Sequence, residues 1–206
     1  MARMIRVLVV DDHPVTSQGV ADALREAADI EIVGVAETLA RARALIASLS
    51  PDVVLCDVQV GRERSLGLPG EIGGATPAIL FFTSYDYPSF IRTALEGGAA
   101  GYLLKSAPIA DVVAGIRTVA GGGSTFAVRD LRSARRAPRM PTERELEVIR
   151  RVAVGESNAE IGAALDIAER TVESHLRRLF SRYSVDSRTE LTLMAARSGW
   201  IDLLDL

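Results

Sequence analysis

Ala100-Gly101-Tyr102-Leu103-Leu104-Lys105 is an apolar run that ends in the only lysine among the chain's 24 basic side chains. The run reads as a buried strand. A lone ammonium at its end, in a chain that otherwise uses arginine, points to chemistry that a guanidinium does not replace. Lysine supplies a compact point charge, whereas arginine presents a planar fork. Three other apolar runs also end in polar groups: Ile5–Val10 in Asp11-Asp12, Val53–Cys56 in Asp57, and Ile79–Phe82 in Thr83-Ser84. Taken singly, Lys105 reads as a surface lysine, Asp11-Asp12 as a loop before Pro14, and Tyr102 as a core aromatic. Taken together, three carboxylates, a hydroxyl and one ammonium at the carboxyl ends of parallel strands make a pocket for Mg²⁺ and a phosphoryl group.

The stretches between these runs support parallel strands. Strand-like segments at 5–10, 30–36, 53–57, 78–83 and 100–104 alternate with helical spacing over 15–27, 38–49, 87–97 and 108–120. In the second helix, for example, Leu39, Ala42, Leu45, Ile46 and Leu49 share one face. Alternation of this kind predicts a parallel sheet covered on both faces. Ligands of such sheets bind beyond the carboxyl ends of the strands, where the four polar endings meet.

Hydrophobic residues make up 48% of the chain and aromatics only 5%, so the cores are predicted to be aliphatic. No apolar stretch approaches the roughly 20 residues of a membrane helix, and Met1–Ile5 runs straight into a strand without a signal-peptide pattern. The one cysteine, Cys56, lies in an apolar run and fits core packing in a reducing compartment. The expectation is a soluble, cytoplasmic protein without a membrane partner.

Net charge is −3 overall, but residues 1–120 carry −4 and residues 121–206 carry +1. The C-terminal basic groups gather at Arg129, Arg132, Arg135, Arg136 and Arg139, and again at Arg177, Arg178 and Arg182. That asymmetry permits nucleic-acid binding by the C-terminal part. Gly121-Gly122-Gly123-Ser124 ends the α/β pattern, and the arginine-rich stretch with Pro138 and Pro141 reads as a linker over 121–140. Four short helices are predicted beyond it, at 142–154, 158–165, 169–183 and 187–198. Thr142 with Glu145 makes a capping box, and Gly155 is a natural terminator.

These residues carry a family resemblance. Val9-Val10-Asp11-Asp12-His13-Pro14, Asp57, Thr83-Ser84-Tyr85-Asp86 and Gly98–Lys105 resemble the receiver domain of bacterial response regulators. Thr142-Glu143-Arg144-Glu145, Gly155–Ile161 and Thr171-Val172-Glu173-Ser174-His175-Leu176 resemble the LuxR-type DNA-binding domain. The whole is similar to the NarL/FixJ subfamily. The resemblance implies an α/β, flavodoxin-like, doubly wound five-stranded parallel sheet over 1–120, followed by a small all-α, four-helix helix-turn-helix domain over 141–206.

The resemblance further implies that Asp57 accepts a phosphoryl group from a sensor histidine kinase. Asp11, Asp12, Asp57 and the backbone carbonyl of Gln59 would hold Mg²⁺, while Lys105 and Thr83 would meet the phosphoryl oxygens. Tyr102 would rotate inward as the 83–87 loop moves. His13 reads as a loop residue rather than a ligand. One stretch departs from the family pattern. The glycine-rich stretch 61–74 holds Gly61, Gly67, Pro69, Gly70, Gly73 and Gly74, and helix interiors lose about 1 kcal/mol per glycine and about 3 per proline. The third helix is therefore expected to be short, distorted or missing, which motivates a rival: a regulator that binds DNA regardless of phosphorylation. An aspartate-nucleophile phosphatase of the haloacid-dehalogenase type is a rival of another class. That family usually carries Asp-x-Asp, whereas this chain has adjacent Asp11-Asp12.

In 169–183, Val172, Leu176, Leu179 and Tyr183 fall on one face at helical spacing. Glu173, Ser174 and Arg177 then point away and would read base edges in double-stranded DNA, arginine favouring guanine and glutamate the cytosine amino group. Thr171, His175, Arg178 and Arg182 would contact phosphates. Glu173 stands where many relatives carry lysine, and Ala168 stands where a serine or threonine often caps this helix. Ser187, Thr189, Leu191 and Leu193 of the last helix are expected to supply a two-fold contact in an active homodimer, mirrored by paired half-sites.

Overall fold

The computed structural model describes residues 3–72 and 77–202. The chain divides into two compact units: the residues up to Asp86 with Phe90–Arg135, and Tyr87–Ser89 with the residues from Arg136 onward. Gly73, Gly74 and the last four residues, which the sequence assigns to the third-helix region and the DNA-binding domain, lie outside the described residues.

In the first unit, strands β1 (Ile5–Val10), β2 (Ile30–Ala36), β3 (Val53–Cys56), β6 (Ala78–Thr83) and β7 (Gly101–Leu104) form one parallel sheet in the order β2-β1-β3-β6-β7. Helices α1 (Pro14–Arg25), α2 (Leu39–Leu49) and α4 (Pro88–Glu96) lie between successive strands, and α5 (Ile109–Ala120) follows the last. The apolar runs become central strands because both faces are covered: Val7, Leu8, Val9 and Val10 are 0–3% exposed. One core layer joins Val7, Val9, Leu55, Leu80 and Phe82 to Leu24, Val112, Ile116 and Val119 of α1 and α5. The order reverses at β1, which pairs with β2 on one side and β3 on the other. That reversal is the crevice where doubly wound sheets bind ligands.

The region after Asp57 follows its composition. Gln59–Val60 (β4) and Glu63–Arg64 (β5) form a small antiparallel hairpin, followed by a 3₁₀ turn at Ser65–Gly67. Among the described residues helix α3 runs over Leu68–Ile72, with Pro69 in its first turn, where a proline is tolerated; the end of the stretch expected to distort it, Gly73-Gly74, lies outside the described residues. Residues 121–140, expected as a linker, hold more structure than their composition suggested. Thr125 N–H donates to the Ala100 carbonyl at 3.1 Å, and helix α6 spans Val128–Arg136. Gly101 permits the close passage at Thr125, because a Cβ there would lie 1.8 Å from Thr125 Oγ1.

The second unit contains α7 (Glu143–Ala153), α8 (Asn158–Leu165), α9 (Glu169–Tyr183) and α10 (Arg188–Arg197). Both α7 and α8 open with reciprocal capping boxes, Thr142 with Glu145 and Ser157 with Glu160. Glu145 is also ion-paired with Arg182 at 2.9 Å. Burial works against its charge, but the Thr142 N–H and Arg182 outweigh it and hold the carboxyl below its ordinary value. Between α8 and α9, Asp166 adopts the left-handed region at φ 53°. Gly162 lets the turn close, since a Cβ there would lie 2.7 Å from the Ile167 carbonyl oxygen. Leu146, Ile149, Ile161, Val172, Leu179, Leu191 and Ala195 are buried, and the Trp200 ring packs against Tyr183, tilted by 50° with centroids 4.7 Å apart.

Candidate functional site: an acidic strand-end pocket and an exposed helix face

Strand register assembles the first site. Val10 pairs with Cys56, so Asp11 and Asp57 leave the sheet side by side, and Asp57 N–H donates to the Val10 carbonyl at 2.8 Å. Thr83 pairs with Leu104, and Lys105 N–H donates to the Thr83 carbonyl at 2.8 Å. Lys105 Nζ lies 2.5 Å from Asp57 Oδ2 and 2.7 Å from Asp11 Oδ2. Asp11, Asp57 and Thr83 are buried, while the Lys105 side chain keeps 15% exposure. Burial disfavours the Lys105 ammonium, but its bonds to Asp11 and Asp57 outweigh that and raise its pKa above the ordinary lysine value.

Asp12 stands at the mouth of the pocket. Its Oδ1 is buried without a hydrogen-bond donor, 3.1 Å from His13 Nδ1. His13 Nδ1 also lies 3.3 Å from Asp11 Oδ1, which accepts the His13 backbone N–H at 2.9 Å. The ring thus approaches the carboxylates more closely than its reading as a loop residue implied. Gln59 N–H is 3.4 Å from Asp57 Oδ1. Three oxygen-bearing carboxylates, one with a buried oxygen lacking a donor, match the hard-oxygen preference of Mg²⁺.

Two neighbours were not legible as site residues. Ser65 is fully buried and its hydroxyl donates to the Asp57 carbonyl, so the 3₁₀ turn after the hairpin clamps the backbone of the acceptor candidate. Cys56 is buried beside Asp57, and burial pushes its thiol up to about 12, which suits packing rather than reactivity.

Tyr102 requires a correction. The ring expected to turn inward already stands inside in this structure, 3% exposed and 6.1 Å from Phe81. Its hydroxyl donates to the Tyr85 carbonyl at 2.7 Å. Thr83 Oγ1 accepts the Tyr85 N–H at 3.4 Å, so Tyr85 links the hydroxyl of Thr83 to the tyrosine.

The second site lies on α9. Val172, Leu176, Leu179 and Tyr183 are its buried face, as the spacing predicts. Thr171, Glu173, Arg177, Arg178 and Arg182 are exposed, and Ser174 and His175 partly so. Ser174 Oγ donates to the Arg170 carbonyl at 3.0 Å, and Arg182 is committed to Glu145. Ala168 makes no side-chain cap, as expected. Glu173, Leu176, Arg177, Phe180, Asn158 and Arg188 line a concavity of about 380 Å³.

The dimer face changes in one respect. Leu191 is fully buried in the unit's own core, so a partner cannot reach it. Ser187 caps α10 through Glu190 N–H, and Thr189 and Leu193 remain exposed.

The comparisons agree with both halves of the chain. Residues 7–117 match the response regulator receiver domain, and residues 142–195 match the luxR family of bacterial regulatory proteins. The transcriptional regulatory protein LiaR of Bacillus subtilis is 33% identical across 97% of this chain and all of its own length. The response regulator VraR of Staphylococcus aureus is 32% identical across 96% of this chain and 99% of its own. The crystal structure of ChrA, a response regulator of a heme-sensing two-component system, aligns with a TM-score of 0.54 at 31% identity, covering 96% and 99% of the two chains. With receiver and LuxR-type matches in this order and full-length relatives that are transcriptional regulators, the chain belongs to the response regulators that join a receiver domain to a LuxR-type DNA-binding domain.

Proposed function

We propose that the protein is a transcription factor whose DNA binding is switched by phosphorylation of Asp57. The observation that carries this reading is the Lys105 ammonium bonded to both Asp11 and Asp57 at adjoining strand ends. A carboxylate attacks a phosphoryl group poorly unless its charge is screened. In this reading an Asp57 oxygen bonds to phosphorus as the phosphorus–nitrogen bond of a kinase phosphohistidine breaks, and Lys105 offsets charge on the phosphoryl oxygens. Asp11, Asp12, Asp57 and the Gln59 carbonyl would hold Mg²⁺, which supplies further charge neutralisation when bound. The acylphosphate adds about −1.5 to −2 charge and three acceptor oxygens, and Thr83 is the hydroxyl placed to donate to them.

Because Tyr102 is already packed inward, the readout runs through Tyr85, whose backbone meets both the Tyr102 hydroxyl and Thr83. A new bond from Thr83 to a phosphoryl oxygen would draw Tyr85 and the 83–87 loop with it. On the DNA side, Glu173, Ser174 and Arg177 are assigned to base edges, and Thr171, His175 and Arg178 to phosphates. Arg182 serves mainly as the partner of Glu145. Dimerisation uses Thr189 and Leu193, without Leu191.

The test is DNA affinity of the full chain for a duplex enriched by selection from a random library, measured with and without Mg²⁺ and a small phosphodonor. Tighter binding and a dimer in the wild type, with neither in Asp57→Asn, is the expected result. Equal affinity in all four conditions would favour the phosphorylation-independent regulator, which the Tyr102 position and the unusual 59–72 segment motivate.

A further inference from the structure

The arginines of the interdomain segment form a surface that the receiver and the recognition helix leave unexplained. Residues 121–140 hold five arginines against one aspartate, a net charge of +4. Residues 141–206, assigned to DNA binding, hold nine arginines against twelve acidic groups, a net charge of −3. Among the described residues Arg144 is paired with Glu147, Arg151 with Glu156 and Arg182 with Glu145, all within the unit. Duplex DNA carries about one negative charge per 1.7 Å. A net-acidic reading head therefore approaches a polyanion with little electrostatic help of its own.

We propose that α6 is a second DNA-contacting element, whose arginine face binds the phosphate backbone outside the bases read by α9; this rests on the DNA-binding reading above. Arg129, Arg132, Arg135 and Arg136 are all exposed. At about 100° per residue they fall within an arc of about 120°. Ala134, on the opposite side, is 1% exposed. The one acidic residue of the helix, Asp130, contacts Arg129 at 3.4 Å, and that arginine side chain is 80% exposed, so the pair neutralises little of the face.

Helix stability explains only part of this pattern. Arg135 and Arg136 sit in the last turn, where positive charge favours the helix dipole, but Arg129 sits in the first turn, where it opposes the dipole, and Arg132 at the middle, where it gains nothing from it. Ala137–Pro141 separate Arg136 from the α7 cap Thr142. Six residue steps reach at most about 20 Å, less than the roughly 34 Å of one DNA turn. The linker thus cannot carry Arg136 more than about 20 Å from the start of the DNA-binding domain, whatever the arrangement of the two units.

Contacts of this kind supply affinity and salt dependence without reading sequence. The test uses the full chain, a short mixed-sequence duplex and a selection-enriched duplex, with affinity measured across a salt series. The variants are Arg129→Gln/Arg132→Gln/Arg136→Gln and the same three positions changed to lysine. The glutamine variant is expected to lose about ten- to hundred-fold affinity near 0.1 M salt on both duplexes, and its log–log salt slope to fall by about 2 to 3. The lysine variant, which keeps charge, is expected to retain the slope, and matching thermal midpoints check that the fold is intact.

Unchanged slope and affinity in the glutamine variant, with wild type binding normally, would overturn the proposal alone; the face would then serve an acidic protein or solvation. A loss confined to the enriched duplex would also overturn it, because phosphate contacts are blind to sequence. Failure of the wild type to bind either duplex would overturn the DNA-binding reading itself.

Discussion

Lys105→Ala is expected to destabilise the metal-free receiver by about 3 kcal/mol, near the lower end for breaking a buried ion pair because the lysine keeps some solvent contact. The cause is what remains: Asp11 and Asp57, 4% and 5% exposed, emerge from neighbouring strands with no cation between them. For a unit of this size that corresponds to a fall in Tm of about 10 °C. Added Mg²⁺ should recover much of it in the variant and less in the wild type, since Lys105 competes with a cation for the same oxygens. Thermal melts with and without Mg²⁺ check this. Equal midpoints for wild type and variant, unaffected by Mg²⁺, would mean that the ammonium does not hold the carboxylates together. The lysine also differs from its nearest substitute: Lys105→Arg keeps charge but brings a planar fork into a site bounded by two carboxylates, so it should restore stability better than phosphoryl uptake.

Arg177→Ala is expected to weaken binding to a selected site by about ten- to a hundred-fold, the equivalent of roughly 1–3 kcal/mol for one good base contact. Preference at a single base-pair position should relax, while binding to random duplex changes far less. Arg178→Ala provides the contrast. Its exposed guanidinium lies on the flank of α9, so it should reduce affinity for all sequences alike and lower the salt slope by about 1. Binding profiles over a library of single-base variants separate the two. A uniform loss for Arg177→Ala would reassign it to the phosphate backbone.

Much of the receiver was legible because its strands are short apolar runs with a polar residue at the carboxyl end. The parallel register then does the rest: once Val10 faces Cys56 and Thr83 faces Leu104, the pocket residues have nowhere else to go. The hairpin and 3₁₀ turn that stand between Asp57 and the third helix had no such pattern in the sequence, beyond the glycines and proline that argued against a regular helix there.

What escaped depended on tertiary placement. Ser65 carries no signal of its own; its bond to the Asp57 carbonyl exists because the 59–64 hairpin folds the chain back. Tyr102 looked like a mobile switch from its position three residues before Lys105, but the Tyr85 carbonyl supplies the partner that keeps its hydroxyl inside. Leu191 and Leu193 are expected together on the two-fold contact of the last helix, although residues two apart face different ways on a helix. Leu191 with Ala195 enters the core, and Leu193 does not. The α6 helix was hidden because arginine dominates it, although arginine and alanine are both good helix formers.

The central claim is that Asp57 is a working phosphoryl acceptor, and intact mass after incubation with Mg²⁺ and a small phosphodonor tests it most directly. One phosphoryl group added to the wild type and none to Asp57→Asn is the predicted result. An equal gain in both proteins, or no gain in the wild type while a control receiver is labelled by the same donor, would contradict it.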